Sequence, residues 1–152
     1  MRTLATRVAL AAAALAFAAT AMATDGSASA PKTSSVAAAK SRFGTILFDG
    51  RGFVLYAFTR DTRGRSACSG ACAKAWPPYL VTGKLIGRAG IAAERLATIR
   101  RSDGSRQATY AGKPLYYYVG DRKAGDVRGQ GLNQFGGKWY ALRPSGRVID
   151  DD

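Results

Sequence analysis

The chain reads GFVLYAFTRD at residues 52–61 and GKPLYYYVGD at residues 112–121. Both stretches contain Leu-Tyr, a second aromatic residue two positions after the tyrosine and an aspartate three positions further on, at a constant offset of 60 residues. A tryptophan follows each copy at a similar distance, Trp76 in the first and Trp139 in the second. The pattern predicts two supersecondary units of one plan that pack together, which we place at about residues 43–82 and 96–149.

Short β-type runs separated by turn residues surround both copies. The pair Asp49-Gly50 and the run Ser102-Asp103-Gly104-Ser105 each separate two such runs, which predicts two hairpins, 45–48 with 53–58 and 96–101 with 106–110. Further strands are predicted at 115–119, 138–142 and 147–149, and short helical turns at 71–75 and 91–96. With 18 glycines and little helix, the chain favours an all-β fold, a small antiparallel sandwich or barrel. A mixed α+β fold is the alternative.

The N-terminal residues have the three parts of a cleavable export signal. Arg2 and Arg7 precede an apolar run over residues 8–19. The small-x-small tripeptide Ala21-Met22-Ala23 follows this run. The run is shorter than the roughly 20 residues needed to span a bilayer, so we expect cleavage after Ala23 and no transmembrane span after processing. Residues 24–40 lack aromatic side chains and predict a flexible linker. A single β-rich domain is expected at 41–152, in the periplasm or outside the cell.

The chain is strongly basic, with 23 Lys and Arg against 10 Asp and Glu and a net charge of +13. Removing Arg2 and Arg7 with the signal leaves +11. Because the protein is expected to be exported, this charge indicates anionic envelope components, such as phospholipid or acidic polysaccharide, rather than nucleic acid. Plain solubility is the alternative explanation, because the basic residues are spread along the domain.

The sequence contains no histidine. This excludes Ser-His-Asp triads, histidine general bases, histidine-ligated zinc and haem attachment through Cys-x-x-Cys-His. We expect no cofactor and no metal site.

The repeated motif allows a structural and a functional interpretation. Aromatic residues two apart face the same side of a strand, so they fill a core layer, while Asp61 and Asp121 accept hydrogen bonds from backbone N–H groups two residues on and lock the turns. The alternative is a shallow aromatic pocket with an acid at its edge, for a sugar, a cation or an aromatic ligand. Its candidate binding residues are Tyr56, Phe58, Asp61, Trp76, Tyr116, Tyr118, Asp121 and Trp139. The sequence leaves open whether Trp76, before two prolines, is exposed or buried.

Cys68 and Cys72 are four positions apart. In an oxidising compartment such a pair predicts a structural disulfide that shapes the segment before Trp76. A redox or copper site is the alternative, although neither a histidine nor a methionine ligand is available in the domain. A thiol oxidoreductase needs Cys-x-x-Cys, which is absent.

These motifs form one set that covers nearly the whole domain. It comprises Leu55-Tyr56-x-Phe58-x-x-Asp61, Cys68-x-Gly70-x-Cys72-x-x-x-Trp76-Pro77-Pro78, Arg101-x-Asp103-Gly104-x-x-Gln107-x-Thr109-Tyr110-x-Gly112-x-Pro114-Leu115-Tyr116-x-Tyr118-x-x-Asp121, Gly125-Asp126, Gly129-Gln130-Gly131 and Trp139-Tyr140. The set resembles the bacterial secreted-repeat family, often described as predicted lipoproteins with a Yx(FWY)xxD motif. The resemblance implies an envelope location and supplies no reaction. Many relatives are lipoproteins, whereas no cysteine lies near the expected cleavage point.

Three functions are compatible with the sequence. The first is a non-enzymatic envelope module that binds a ligand or a surface component. The second is a redox or copper-handling module that uses Cys68 and Cys72. The third is a hydrolase that uses carboxylates such as Asp61, Asp121 and Asp126, a chemistry that needs acids placed across a cleft.

Overall fold

The structure is a computed structural model that describes residues 32–150. The predicted signal peptide and residues 24–31 of the predicted linker lie outside the described residues. The described elements are β1 (Thr33–Ser41), β2 (Gly44–Asp49), β3 (Tyr56–Phe58), α1 (Ala71–Ala75), β4 (Lys84–Gly87), a 3₁₀ turn (Ala93–Arg95), β5 (Leu96–Arg100), β6 (Arg106–Tyr110), β7 (Lys113–Pro114), β8 (Asn133–Gln134) and β9 (Gly137–Ala141).

The strands form three small sheets with the orders β2-β1-β4, β3-β9-β8 and β5-β6-β7. Neighbouring strands are antiparallel except β1 and β4, which are parallel. The all-β prediction is therefore confirmed, and the sheets among the described residues do not close into a barrel. Both helical predictions correspond to real turns, α1 and the 3₁₀ turn. Strands β1, β4, β7 and β8 were not predicted, and the strands predicted at 115–119 and 147–149 are present as isolated bridges at Tyr116 and Val148.

Each repeat begins with the same antiparallel hairpin, formed by β1 and β2 in the first and by β5 and β6 in the second. The register also corresponds, since Val36 lies opposite Asp49 and Leu96 lies opposite Tyr110. The segment that carries the motif then returns along the hairpin. Thus the Leu55 N–H donates to the Leu47 carbonyl, as the equivalent Leu115 N–H donates to Ala108, both at 3.0 Å.

The prediction of a flexible linker over residues 24–40 is wrong from Thr33 onward, because these residues form most of β1. The segment is poor in large apolar side chains, but β1 is the middle strand of its sheet, with β2 and β4 on its two sides. Its main chain is therefore hydrogen-bonded along both edges, and Val36 is fully buried. The first repeat accordingly begins before residue 43.

The motif strands separate two clusters of buried side chains. Tyr56, Phe58 and Tyr116 belong to the first cluster together with both tryptophans and both cysteines. The intervening Leu55 and Ala57 belong to the second. This is the alternation of a β-strand buried on both faces, and it confirms that the paired aromatic side chains share one side.

Candidate functional site

The two motif tyrosines lie side by side at the centre of the molecule. The N–H of Tyr56 donates to the carbonyl of Tyr116, and the N–H of Tyr116 donates to the carbonyl of Tyr56, both at 2.9 Å. This is the closed pair of an antiparallel bridge. Because equivalent residues of the two repeats are paired, a pseudo-two-fold axis passes between them.

The tyrosine hydroxyls reach across this axis. Tyr56 donates to Asp121 Oδ2 and Tyr116 donates to Asp61 Oδ2, each at 2.7 Å. Each tyrosine is thus bonded to the aspartate of the other repeat, not to the aspartate five residues ahead of it. The two hydrogen bonds are equivalent under the pseudo-symmetry and tie the repeats together.

The aspartates also fix the loops that follow them. Asp61 Oδ1 accepts the Ala67 N–H at 2.7 Å, and Asp121 Oδ1 accepts the Arg128 N–H at 2.8 Å. The expected bond to an N–H two residues on is therefore wrong, since the partners lie six and seven residues ahead. Each carboxylate closes a longer loop because that loop folds back over the side chain.

Four aromatic rings form a continuous stack in the first cluster. Phe58 stacks on Trp139 with ring centroids 4.1 Å apart, Trp139 on Trp76 at 4.0 Å, and Trp76 on Tyr118 at 4.3 Å. Each tryptophan therefore meets the motif aromatic of the other repeat and the other tryptophan. The stack follows the same pseudo-symmetry as the tyrosine–aspartate pairs.

The tyrosines contact the tryptophans edge-on within their own repeats. The ring centroids of Tyr56 and Trp76 are 5.4 Å apart and those of Tyr116 and Trp139 are 5.1 Å apart, both near perpendicular. These are favoured geometries for aromatic pairs. The four rings are fully buried.

The structure thus brings the eight candidate binding residues together, and it places them mainly in the core. Asp121 and Phe58 are also buried, while Tyr118 and Asp61 are partly exposed. Burial supports the core interpretation of the motif over an open aromatic pocket. Phe58 and Asp61 also line a cleft of about 370 Å³ described below.

Burial determines the electrostatics of the motif. It raises the pKa of the Asp61 and Asp121 carboxyls above the ordinary 3.8, although their hydrogen-bond donors oppose the shift. It also raises the pKa of the Tyr56 and Tyr116 hydroxyls well above the ordinary range. The tyrosines therefore act as neutral donors, and both oxygens of each carboxylate are already engaged as acceptors.

Asp126 has a different environment from these two carboxylates. It accepts the Arg122 N–H at 3.0 Å, lies 3.5 Å from Arg128 Nε, and the backbone N–H of Arg122 lowers its pKa. All three acids named as hydrolase candidates thus have structural partners in the folded chain.

Cys68 and Cys72 form a disulfide, as expected from their spacing. Both are buried in the first cluster. The carbonyl of Cys68 accepts a hydrogen bond from Arg101 Nη2 at 2.6 Å, and Arg101 Nη1 also donates to Ser66 and Gln107. The disulfide loop is therefore attached to the second repeat through Arg101, a role that the sequence did not predict.

A set of basic side chains surrounds the tight turn formed by residues 62–65, in which Thr62 and Arg65 exchange main-chain hydrogen bonds of 3.2 and 3.0 Å. Three adjoining clefts of about 370, 430 and 520 Å³ meet at this turn, and we name them together the basic groove. Its cations are Arg63, Arg65, Arg95, Arg100, Arg101 and Lys113, and its acids are Asp61 and Glu94.

None of the groove cations belongs to an ion pair among the described residues. Within residues 32–150 the ion pairs are Arg51–Asp49 and Arg128–Asp126, and neither involves the groove. Four of its arginines, at positions 63, 65, 95 and 100, are exposed. The sequence alone did not predict this surface, because its residues are spread over about fifty positions. The clustering of arginine at 60, 63 and 65 was the available signal.

Among the described residues, no helix has the length and apolar character to cross a membrane. Neither a curated protein nor a solved structure matches the chain. The sequence profile of a family described as a secreted repeat of unknown function matches twice, at residues 37–79 and 97–143. The two matches coincide with the two pseudo-symmetric units and together cover more than half of the chain. The protein therefore belongs to this family of secreted repeats.

Proposed function

We propose that the protein is an exported, non-enzymatic module of the cell envelope that binds an anionic polymer, such as an acidic polysaccharide, in the basic groove. The observation that carries the proposal is the concentration, around the turn at residues 62–65, of arginines that belong to no ion pair within residues 32–150. A periplasmic location, after removal of residues 1–23, is part of the same proposal.

The shape of the groove supports a linear ligand. The first and second clefts share Arg63 and Gly112, and the second and third share Gly64 and Ile99. A chain of anionic groups can follow these adjoining clefts and meet one cation after another. Arginine suits this task because its guanidinium group donates two hydrogen bonds to one carboxylate or sulfate.

The different environments of the motif carboxylates and of the basic groove also support binding over catalysis. Both oxygens of each motif carboxylate already accept hydrogen bonds, whereas the groove offers charge and hydrogen-bond donors, including the hydroxyls of Ser69 and Ser102. Such a surface attracts anions through its field and holds them by charge-assisted hydrogen bonds.

The proposal is tested by measuring binding to polygalacturonate and dextran sulfate at low and high salt. We expect saturable binding that weakens as salt screens the charges. The variant Arg63→Gln/Arg65→Gln/Arg100→Gln should bind about tenfold more weakly, since each exposed ion pair contributes about 0.2–1 kcal/mol.

The matched control is Lys74→Gln/Arg122→Gln/Lys123→Gln, which removes the same charge from exposed positions outside the groove. It should keep most of the affinity. Equal loss in both variants would show that only net charge matters, and no binding by the native protein would contradict the proposal.

A further inference from the structure

The turn between β8 and β9 carries an exposed aromatic ring on a strained backbone. Phe135 is 42% exposed and has φ +57°, and the next residue, Gly136, has φ +76°. Positive φ at both central positions is typical of a two-residue type I′ hairpin turn, where Asn-Gly is favoured. A phenylalanine is unfavourable there on both counts, since the left-handed region disfavours its backbone and water disfavours its ring.

The turn is nevertheless held firmly in place. Gln134, immediately before Phe135, accepts the indole N–H of both tryptophans: Trp76 Nε1 donates to its side-chain oxygen at 2.8 Å, and Trp139 Nε1 donates to its carbonyl at 3.2 Å. The polar atoms of the central aromatic stack thus support the residue next to the exposed ring. Strain that is maintained by such support is a sign of function.

The surroundings of the ring are basic. The side chain of Arg60 lies along the turn, with its Nη1 3.5 Å from the Phe135 carbonyl, and Lys138 is exposed on β9. Neither residue belongs to an ion pair within residues 32–150. No aspartate or glutamate occurs in the sequence from residue 127 to residue 149. Phe135 therefore lies in a locally cationic part of the chain.

We propose that Phe135 inserts into the interface of an anionic phospholipid bilayer while Arg60 and Lys138 contact the lipid headgroups. An exposed ring among cations matches the two contributions to interfacial binding, which are burial of apolar surface and attraction to anionic lipid. A fluid bilayer interface can surround a single ring at a hairpin tip, so it buries more of the ring than a rigid surface would. The polymer of the preceding proposal instead occupies the basic groove, whose lining residues do not include Phe135, so the two proposals are independent.

The test is co-sedimentation of the exported chain with vesicles of phosphatidylcholine, with and without phosphatidylglycerol. We expect binding that requires the anionic lipid. Phe135→Asn should weaken it roughly tenfold, as burial of one aromatic ring allows. The same variant should melt at an equal or higher temperature, because asparagine tolerates positive φ. Leu80→Asn is the matched control, since Leu80 is 44% exposed outside this turn, and it should leave vesicle binding unchanged.

A second variant observes insertion directly. Phe135→Trp should show quenching by bromine-labelled lipid that the native protein, with its two buried tryptophans, lacks. Three results would overturn the proposal: no native binding to anionic vesicles, undiminished binding by Phe135→Asn, or a marked loss of stability in Phe135→Asn. Loss of vesicle binding with retained polygalacturonate binding is the expected pattern for Phe135→Asn.

Discussion

Tyr56 and Tyr116 exchange both of their main-chain hydrogen bonds at 2.9 Å, and each hydroxyl then reaches the aspartate of the opposite repeat at 2.7 Å. The repeated motif is therefore a device that joins two halves of one fold. Its tyrosine and its aspartate act on different partners. The motif by itself accounts for the assembly of the repeats, while the surfaces available for binding lie outside it.

Truncating either motif tyrosine should be severely destabilising. Tyr56→Ala or Tyr116→Ala removes a fully buried ring, its hydrogen bond to an aspartate and its edge contact with a tryptophan. We expect the free energy of unfolding to fall by ~3–5 kcal/mol, measured by urea denaturation. Val119→Ala serves as the control because Val119 is 56% exposed. A native-like stability of both tyrosine variants would mean that the rings are not part of the core.

Gly112 should resist substitution for two separable reasons. Its φ is +78°, and a Cβ there would lie 2.9 Å from Arg63 Cγ. Gly125 has φ +84° with no atom within 4 Å of the added Cβ, so Gly125→Ala measures the backbone cost alone. That cost is about 1–2 kcal/mol, and Gly112→Ala should cost about 1 kcal/mol more.

The extra cost at Gly112 should disappear when Arg63 is shortened. Thermal or urea unfolding of Gly112→Ala in an Arg63→Ala background should then give the same loss as Gly125→Ala. If the difference persists without the Arg63 side chain, close packing against the opposite repeat is not its cause.

Reduction of the Cys68–Cys72 disulfide should have a modest effect on stability. The closed loop is short, so its contribution through the unfolded chain is about 2 kcal/mol. Urea unfolding with and without reductant should show this difference in the native protein, and Cys68→Ala/Cys72→Ala should be insensitive to reductant. A much larger fall in the free energy of unfolding on reduction would instead show that the aromatic cluster depends mainly on the disulfide.

The Asp121 carboxyl should stabilise the native protein more in mild acid than at neutral pH, relative to a variant that lacks this carboxyl. Burial raises the pKa of Asp121 above the ordinary 3.8, so the folded state binds the proton more tightly than the unfolded state. This contribution is fully present below the unfolded pKa and is lost as pH rises through the folded pKa. The difference in unfolding free energy between the native protein and Asp121→Asn should therefore shift in favour of the native protein as pH falls from about 7 to 4.

Two acids whose pKa is lowered, Asp103 and Asp126, act in the opposite direction. Both are present in the two proteins of this comparison, so the effect of Asp103 cancels in the difference. The charge of Asp126 is one of the causes that raise the pKa of Asp121, so its coupling to Asp121 is part of the measured difference. A difference that is constant over the pH range, or that favours Asp121→Asn in acid, would contradict the direction of the Asp121 shift.

Local patterns were sufficient to predict much of the fold. The alternation around Tyr56 and Tyr116 predicted aromatic side chains on one side, the run Ser102–Ser105 predicted the β5–β6 hairpin, and the spacing of Cys68 and Cys72 predicted their disulfide. The hairpin expected around Asp49-Gly50 is present as a bridge between Phe48 and Val54, whereas the β1–β2 hairpin was not predicted. These features depend on residues close together in the chain, where side-chain period and turn chemistry apply directly.

The remaining features depend on contacts between distant residues. Tyr56 and Asp121 are 65 positions apart, and nothing local distinguishes this pairing from one with Asp61. Strand β1 was missed because its side chains are small and its order comes from neighbours on both sides. The offset of 60 would have revealed it, since residues 36–40 correspond to β5. The basic groove was missed for the same reason of distance.

The central claim is that the hydrogen bonds of the motif cross between the repeats, and double-mutant cycles test it most directly. Tyr56→Phe combined with Asp121→Ala, and separately with Asp61→Ala, should be compared by urea unfolding. We predict a coupling energy of about 1 kcal/mol or more for Tyr56 with Asp121, and less than about 0.5 kcal/mol for Tyr56 with Asp61. Coupling of Tyr56 to the aspartate of its own repeat, with none to Asp121, would contradict the account.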